Sequence, residues 1–504
     1  MDKVLYRRRL AILIFLTVSV STCKTGEKNS HISGHYENFS EAELLPYKGK
    51  VRIIPEYEES SGVMISVEAV EQFGLHSLLH AFKQHPKKPD VFLPMLDSHY
   101  DGVPPRLIDF LSDGQFKLFS LPRGSGRVDG DITWTRDWAP WTAMYRPSPD
   151  AANERRFAEF NYYELRDTAD ELPQQIAEKL NVGRFSIPVR TEGGNFMING
   201  RGDCMMTTGV IEREQLVKAY GAQLEMFKKE RNESGNTAYD AVIARYEALT
   251  ANSTSYGQAE IEGFFRDYAG CKQIIWLNPS PSDSNQHIDL FAKFLSDNMV
   301  LVMDLNNQTI ATTPKSRNPE AALDIEVSQA LLKSVQAHLN EVAQILSQRG
   351  FQVVRAPLPL TMLYRSLSQG QQTKLPMVKG NYGLLESVRS GKTIDIDALF
   401  NEDLAVHMRS YANSLILKPY VYVPRFKAPV IEDGNARMVV LGGDALSSSQ
   451  YPDAALLPHY EKEVEAAYGQ ARLQVVWIDS DQTVTFQGSI HCLTEQVGRI
   501  PVAE

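Results

Sequence analysis

The sequence predicts an α/β fold, and three observations support this prediction. Short segments rich in β-branched and aromatic residues recur along the 504-residue chain, each bounded by glycine, proline or polar residues. Stretches with apolar residues at steps of three and four, as in amphipathic helices, lie between them. The hydrophobic content of 43% and the charged content of 23% are those of an ordinary globular protein with a sizeable core. A chain of this length can form one large domain with insertions or two smaller domains.

The first 22 residues resemble a signal segment. Lys3 and three arginines at 7–9 precede Leu10 to Val20, a run of eleven apolar, Ser or Thr residues. Because roughly 20 residues are needed to span a bilayer, this run is typical of a signal-peptide core, and we expect an exported protein, either periplasmic or membrane-anchored. Val20-Ser21-Thr22-Cys23 resembles a lipobox, so a lipid anchor at Cys23 and simple cleavage are both open.

Residues 23–46 are polar and predict a tether, which leaves residues 47–504 as the folded domain. Removal of residues 1–22 takes away one acidic and four basic side chains, so the formal net charge goes from −10 to −13. An acidic surface repels nucleic acid, and no nucleic-acid partner is expected. It also suits a cationic substrate, although solubility alone is the simpler explanation of the acidic charge.

Seven segments are predicted strands and one long segment is a predicted helix. The strands are expected at 51–55, 90–94, 273–277, 299–303, 352–355, 420–423 and 437–441. The helix is expected at 325–349, where Leu331, Leu332, Val335, Leu339, Val342 and Leu346 share one face. Two insertions are predicted: a charged helical excursion at about 212–257 and a polar loop or lid at about 366–397.

The cysteines allow more than one arrangement. In an oxidising compartment Cys204 and Cys271 could form a disulfide and leave Cys492 as the odd thiol. Two separate buried cysteines are the simpler alternative. Because the cysteines and histidines lack the spacing of a zinc site, neither a metal nor another cofactor is expected.

Cys492 is a candidate nucleophile, expected at the end of a buried strand after the apolar segment 473–478. A free thiol is mostly protonated at neutral pH and needs a cationic or histidine neighbour to react. His491 adjoins it and would point to the opposite face of an extended strand. In His287-Ile288-Asp289 the period of two places His287 and Asp289 on one face, which makes His287 the better partner.

Acidic residues beside such a thiol suit a guanidinium group, which is planar, always charged and matched bidentately by carboxylates. Asp137, Asp289 and Glu192 are the candidates, and Trp138 could stack on the guanidinium. Three of these four residues have a simpler explanation: an ion pair of Asp137 with Arg136, a tight turn after Glu192, and core packing of Trp138.

Four motifs occur in an order that resembles the agmatine deiminase and bacterial-type peptidylarginine deiminase family. They are Thr135 to Pro140, Glu192-Gly193-Gly194-Asn195, His287-Ile288-Asp289, and Gly488 to Thr494 around Cys492. The resemblance covers most of residues 46–504 apart from the two insertions. It implies a five-bladed, pseudo-symmetric α/β propeller (pentein-like) with helical insertions, and a metal-independent hydrolysis of a guanidino group to a ureido group plus ammonia.

The resemblance also implies roles for single residues. Cys492 would be the nucleophile, His287 the general acid and base, Asp137 and Asp289 the guanidinium clamps, and Asn413 a support near the nucleophile. Glu192, Asp283 and Trp138 would contact the substrate. A covalent amidino-thioether on Cys492 would form and be released by water that His287 activates.

Two departures from the family bear on the substrate. Asn285-Gln286 replaces an Asp-Gly pair, and Ala139 stands where the family often has Gly. If Asn285 faces the substrate, its neutral side chain weakens attraction for a second cationic group, such as the amine of agmatine. Together with export this favours peptidyl-arginine and hence citrullination. Agmatine deiminase activity, which yields N-carbamoylputrescine in putrescine biosynthesis, is the alternative.

Other classes fit less well. A metal-dependent guanidine hydrolase would release urea rather than ammonia. A papain-like peptidase has its cysteine near the mature N-terminus, whereas Cys492 lies near the C-terminal end. A non-catalytic, surface-binding lipoprotein of the same fold is the best non-enzyme alternative, and in it Cys492 could be replaced without loss of function.

Overall fold

A computed structural model describes most of the chain. The described residues are 41–96, 102–121, 132–162, 167–216, 220–235, 237, 239–252, 255–283, 285–311, 319–360, 362–368, 404–427, 436–440, 451–484 and 488–500. The predicted signal segment, the tether up to residue 40 and the predicted insertion from residue 369 onward lie outside them. Among the described helices, none has the length and apolar character needed to cross a membrane.

Strands of the described residues form six small sheets. They are β1 (Val51–Ile53), β2 (Ser60–Met64), β3 (Asp90–Leu96), β4 (Phe116–Leu121), β5 (Trp141–Tyr145), β6 (Glu154–Asn161), β7 (Gly183–Arg190), β8 (Met197–Ile198), β9 (Asp203–Thr207), β10 (Gln273–Leu277), β11 (Ala292–Phe294), β12 (Met299–Asp304), β13 (Gln352–Pro357), β14 (Met362–Ser368), β15 (Leu404–His407), β16 (Leu415–Leu417), β17 (Tyr420–Arg425), β18 (Ala436–Val440), β19 (Gln474–Asp479) and β20 (Glu495–Gly498).

Helices lie between these strands, as the sequence predicts for an α/β chain. They are α1 (Glu41–Leu44), α2 (Val67–Phe73), α3 (His76–Gln84), α4 (Pro105–Leu111), α5 (Thr135–Trp138), α6 (Asp167–Leu180), α7 (Gly209–Leu216), α8 (Tyr220–Ser234), α9 (Tyr239–Asn252), α10 (Gln258–Tyr268), α11 (Asn307–Ala311), α12 (Pro319–Gln348), α13 (Leu457–Gln470) and α14 (Asp481–Val484). Short 3-10 helices occur at Leu45–Tyr47, Gly193–Asn195 and Ile288–Leu290.

Five of the six described sheets share one pairing pattern. In each, a strand pairs antiparallel with one neighbour and parallel with another; these strands are β2, β6, β9, β12 and β17. The remaining sheet, with β14 between β15 and β18, is antiparallel throughout. The architecture is therefore mixed α/β.

The largest core cluster lies where α12 covers β12 and β13. Five consecutive residues, Met299 to Met303, are apolar in β12, which suits a strand covered on both faces. The helix contributes the face predicted from the sequence, since all six predicted residues are at most 1% exposed. The predicted helix at 325–349 corresponds to Pro319–Gln348.

The end of the predicted tether and the predicted helical excursion at about 212–257 differ in detail from the sequence-based prediction. Residues 41–47, the end of the predicted tether, are helical and bury Leu44, so the folded part begins before residue 47. Within the predicted helical excursion, α8 and α9 pack on each other around a cluster of their own, which contains Tyr220, Leu224, Phe227 and Tyr246.

Cys204 and Cys271 form a disulfide, with 5.7 Å between their Cα atoms. Cys204 lies in β9, and Cys271 lies two residues before β10, its parallel neighbour. Both cysteines are buried. The simpler expectation of two separate cysteines is therefore replaced by the disulfide that the sequence also allowed.

Candidate active site

Cys492 lies in a turn that leads into β20, not at the end of a strand as predicted. The chain leaves β19, passes through α14 and reverses through a turn closed by the backbone hydrogen bond from Thr494 to His491. Gly488 permits this path, because a Cβ atom there would lie 2.2 Å from the ring of Trp134. The turn places a thiol that is 4% exposed against three other segments of the chain.

Three side chains contact the thiol. The amide of Asn413 donates to Sγ at 3.0 Å, while its oxygen accepts from the backbone N–H of Cys492 at 3.3 Å. Sγ also lies 3.4 Å from Oδ2 of Asp289, and His287 hydrogen-bonds to the sulfur of Cys492. Burial, helped by the charge of Asp289, raises the pKa of Cys492 to about 12, against the opposite effect of His287. The surroundings of Cys492 therefore favour the neutral thiol over the thiolate.

His287 is held between two carboxylates. Its Nε2 hydrogen-bonds to Glu192, and its Nδ1 lies 3.9 Å from Oδ1 of Asp137. Burial disfavours the charged ring, but Glu192 and Asp137 outweigh burial and hold the pKa of His287 well above its usual range. An imidazolium therefore faces the thiol. Arg213 of α7 contacts the same oxygen of Glu192 at 3.1 Å.

The segment around His287 is a turn followed by a 3-10 helix, not the extended strand that the predicted period of two required. Ile288 is nevertheless buried in the core and Asp289 faces the thiol. Asp283 shapes the turn, because it accepts from the backbone N–H groups of Asn285 at 2.8 Å and His287 at 2.5 Å. Desolvation raises the pKa of Asp283 to about 6.

The two glycines after Glu192 are required by close approach. A Cβ atom at Gly193 would lie 2.0 Å from the carbonyl oxygen of Arg136, and one at Gly194 would lie 2.5 Å from Nδ1 of His287. Their backbone conformation is not the left-handed one. The Glu-Gly-Gly motif thus lets the backbone pass directly against Arg136 and the imidazole, which a simple tight turn does not explain.

Arg136 is fully buried, so the simple explanation of a surface ion pair with Asp137 does not hold. Its guanidinium lies 2.8 Å from Glu56 and 2.5 Å from Glu495, and its backbone N–H donates to the carbonyl of Cys492 at 3.0 Å. Arg136 therefore fixes α5 against the turn that holds Cys492, and α5 places Asp137 near His287.

The two carboxylate oxygens of Asp289 have different contacts. Oδ2 accepts from Nδ1 of His491 at 2.7 Å and contacts the thiol, whereas Oδ1 is buried with no hydrogen-bond partner among the described residues. Burial raises the pKa of Asp289, but His491, His287 and Lys293 together more than offset this and keep the pKa below its usual value. A charged oxygen is thus available to a cation beside Cys492.

The sequence reasoning missed the charged groups beneath the site. Glu56 contacts Arg136, His491 and Lys293, and Glu495 contacts Arg136. No local pattern pointed to Glu56 or Glu495. His491 was weighed only as a partner of the thiol, whereas its contacts are with Asp289 and Glu56.

The three residues expected to contact the substrate have contacts within the protein. Trp138 is 4% exposed, packs in a core cluster and donates its indole N–H to the carbonyl of Ile132 at 3.0 Å, so its ring has a packing role. Glu192 contacts His287 and Arg213. Asp283 contacts the backbone of the turn before His287. The structure brings Asp137, Asp289, His287, Asn413 and Cys492 together.

Three side chains of the site also lie close enough to one another to bind one cation. Asp137, Glu192 and His287 each offer an atom, and these atoms all lie within 4.8 Å of one another. Asp137 and Glu192 are also the residues that raise the pKa of His287. Proton transfer and metal binding are therefore competing uses of one cluster.

Comparisons with known proteins agree on the kind of fold and family. A family model described as Porphyromonas-type peptidyl-arginine deiminase matches residues 126–220 and 242–441, more than half of the chain. The matched segments contain Asp137, Glu192, His287, Asp289 and Asn413, whereas Cys492 lies beyond them. A Shewanella sp. (strain MR-4) protein named "Putative agmatine deiminase" is 25% identical over 239 residues, which are 45% of this chain and 51% of that protein. The chain thus spans about half the length of the curated relatives it matches.

Solved structures extend the likeness of the fold over nearly the whole chain. Agmatine deiminase of C. jejuni has a TM-score of 0.52 at 13% identity, covering 89% of this chain and 97% of that one. Agmatine deiminase of Enterococcus faecalis has a TM-score of 0.50 at 15% identity, covering 90% and 97%. The resemblance recognised from four motifs is confirmed by these matches, and the chain belongs to the Porphyromonas-type peptidyl-arginine deiminase family.

Proposed function

We propose that this protein hydrolyses a guanidino group to a ureido group and ammonia through a covalent intermediate on Cys492. The observation that carries the proposal is the position of the thiol, in contact with Asp289, Asn413 and a charged His287. A nucleophile, a proton donor and a carboxylate therefore meet at one buried point. Membership of a deiminase family supports the same chemistry.

Asp137 and Asp289 are the proposed clamps of the guanidinium. Oδ1 of Asp289 is buried with no partner among the described residues, and Asp137 lies on the other side of His287 from Glu192. Burying a guanidinium is costly unless carboxylates accept its hydrogen bonds. Two carboxylates near the thiol meet this need and orient the guanidinium carbon toward Sγ, which is the positional part of catalysis.

The first step forms a carbon–sulfur bond and breaks a carbon–nitrogen bond. A bound guanidinium offsets the negative charge of Asp289, which is one reason why the pKa of Cys492 is high, so substrate binding favours loss of the thiol proton. Sulfur attacks the guanidinium carbon, and the thiol proton passes, by way of His287, to the nitrogen that leaves as ammonia. A cationic amidino-thioether remains on Cys492.

The second step reverses these roles. The departing ammonia takes the proton of His287 and leaves as ammonium, so the now neutral His287 takes a proton from water as the water oxygen bonds to the amidino carbon. The carbon–sulfur bond breaks, the hydroxyl proton of the adduct passes to sulfur and regenerates the thiol, and the ureido product leaves. The net reaction is guanidinium plus water giving the ureido product plus ammonium.

We propose peptidyl-arginine as the substrate, with agmatine as the alternative. Asn285 supplies no negative charge for a second cationic group. Gln286 donates its amide to Glu212 of α7 at 3.2 Å, so this side chain is turned toward α7. The names of the curated relatives favour agmatine, and the family description favours peptidyl-arginine.

A colorimetric assay for ureido groups tests the function and the substrate together. The protein would be incubated with agmatine, free arginine, and peptides with internal or C-terminal arginine, and ammonia would be measured in parallel. Equal amounts of ureido product and ammonia are expected. Absence of ureido product with every substrate would favour the non-catalytic, surface-binding lipoprotein.

A metal-dependent guanidine hydrolase is a second candidate, because Asp137, Glu192 and His287 lie close enough to bind one ion. It would release urea in place of ammonia. The hydrogen bond between His287 and the thiol favours the cysteine mechanism, since a metal ligand would direct that ring nitrogen elsewhere. Identifying urea or ammonia as the product separates the two.

We further propose export and a five-bladed arrangement. The Cys204–Cys271 disulfide supports an oxidising compartment, as the signal-like residues 1–22 do. The recurring pairing of five sheets supports five propeller blades. Cell fractionation and mass spectrometry of the mature N-terminus test export and lipidation of Cys23; a soluble cytoplasmic protein with an intact N-terminus would exclude both.

A further inference from the structure

His491 stands between two carboxylates deep in the protein. Its Nδ1 lies 2.7 Å from Oδ2 of Asp289 and its Nε2 lies 2.6 Å from Oε1 of Glu56. The ring is 0% exposed, so water does not complete either contact. Both ring nitrogens therefore face hydrogen-bond acceptors.

Two acceptors require two donors. A neutral imidazole has one N–H group and one lone pair, and a lone pair facing a carboxylate oxygen at this distance would be repelled. Glu56 is ionised: burial raises its pKa, but Arg136, His491 and Lys293 together hold it well below its usual range. The hydrogen-bonding pattern is satisfied when both nitrogens of His491 carry a proton.

The contact with His491 also decides which oxygen of Asp289 remains available. Oδ2 is occupied by Nδ1 of His491 and lies beside the sulfur of Cys492, whereas Oδ1 has no hydrogen-bond partner among the described residues. Rotation of the carboxylate would break a charge-assisted hydrogen bond, the stronger kind in proteins. Glu56 in turn fixes the far side of the ring, and Arg136 and Lys293 fix Glu56.

We propose that His491 is a positioning residue for the substrate: hydrogen-bonded to Asp289 at one ring nitrogen and braced by Glu56 at the other, it locks Asp289 with Oδ1 directed at the guanidinium. This inference rests on the proposed function, because it assigns a role in binding the guanidino group. His491 does not take the proton of the thiol, which His287 contacts.

Three variants test the proposal. His491→Leu removes both donors, whereas His491→Asn keeps an amide near the position of Nδ1 and can still donate to Asp289. We expect KM for a guanidino substrate to rise at least about tenfold in His491→Leu with a smaller change in kcat, and His491→Asn to recover part of this loss. His85→Asn is the control, since His85 is also buried with both ring nitrogens in contacts, but with the backbone of Leu417 and Lys87. KM should be unchanged in it.

A purely structural role for His491 would lower the melting temperature and leave KM unchanged, which would overturn the proposal. Equal losses in the Leu and Asn variants would overturn the orienting hydrogen bond. If His491→Leu does not fold, the comparison of His491→Asn with His85→Asn decides, and an unchanged KM in His491→Asn with lowered kcat counts against the proposal.

Nitrogen NMR of protein labelled at histidine gives a reading that needs no substrate. The signals missing in His491→Asn belong to His491, and they should show that both ring nitrogens donate hydrogen bonds. A ring nitrogen that donates no hydrogen bond would overturn the proposal. If the wild-type protein converts no guanidino compound, the proposed function fails, whereas the NMR result still decides the state of His491.

Discussion

The carboxylate of Glu192 and the imidazole of His287 form a buried hydrogen bond across 95 residues of sequence. Both side chains are 3% exposed, so solvent screens their interaction weakly. The negative charge of Glu192 favours the protonated ring, which is why the pKa of His287 is raised although burial opposes it. The proposed acid–base group thus owes its charge to a residue that was expected to touch the substrate.

Replacing Glu192 with Gln should lower the pKa of His287, because the carboxylate that stabilises the imidazolium is lost. The basic limb of the pH dependence of kcat/KM should then move to lower pH, and kcat should fall about 100-fold, a typical effect of losing acid–base function. Glu262→Gln is a suitable control, since Glu262 binds Trp276 and Gln258 away from the site. An unmoved basic limb in Glu192→Gln would show that His287 is not the titrating group.

Gly194→Ala should remove most activity, because the new Cβ atom would lie 2.5 Å from Nδ1 of His287 and displace the ring or the backbone. A displacement of about 1 Å at a catalytic group costs on the order of 100-fold in rate. Gly221→Ala in α8 is the matched control: nothing lies within 4 Å of its added Cβ atom, and alanine suits a helix better than glycine. Steady-state kcat is the measurement, and normal kcat in Gly194→Ala would refute the close-approach explanation.

Chelation should leave activity unchanged, because the proposed steps use Cys492 and His287 and no metal ion. One equivalent of a thiol alkylator bound to Cys492 should abolish it. The measurement is ammonia release after dialysis against a chelator, with the product identity recorded. Activity that is lost and then restored by a divalent ion would assign Asp137, Glu192 and His287 to a metal site.

The substrate preference should favour an arginine peptide over agmatine by about tenfold, or roughly 1.4 kcal/mol, since a missing charge contact near solvent is partly screened. Asn285→Asp should narrow this ratio by improving kcat/KM for agmatine alone. If the wild-type protein clearly prefers agmatine, or if Asn285→Asp leaves the ratio unchanged, Asn285 does not face the tail of the substrate.

Local patterns predicted much of the fold. The strand at 273–277 follows from a run of β-branched and aromatic residues, and the buried face of α12 follows from apolar residues at steps of three and four. Strands β5, β6 and β7 went unpredicted, because their mixed polar and apolar residues give a weak local signal. The turn that holds Cys492 was also missed, because α14 interrupts the segment that was expected to continue as a strand.

The candidate site was predictable only where a motif marked it. Asp137, His287, Asp289 and Cys492 were named from ordered motifs and Asn413 from the resemblance to the family, and the fold brings all five together. Glu56 and Glu495 were not predicted from the sequence. Their contacts with Arg136 and His491 join residues far apart in the chain, and such contacts leave no local sequence pattern.

The most direct test of the proposed mechanism is ureido formation by Cys492→Ala compared with the wild-type protein. The account predicts no turnover in the variant together with an unchanged fold, measured by circular dichroism and thermal unfolding, because one buried sulfur atom contributes little to packing yet forms the covalent bond. Ureido formation by Cys492→Ala at a rate near that of the wild-type protein would contradict it.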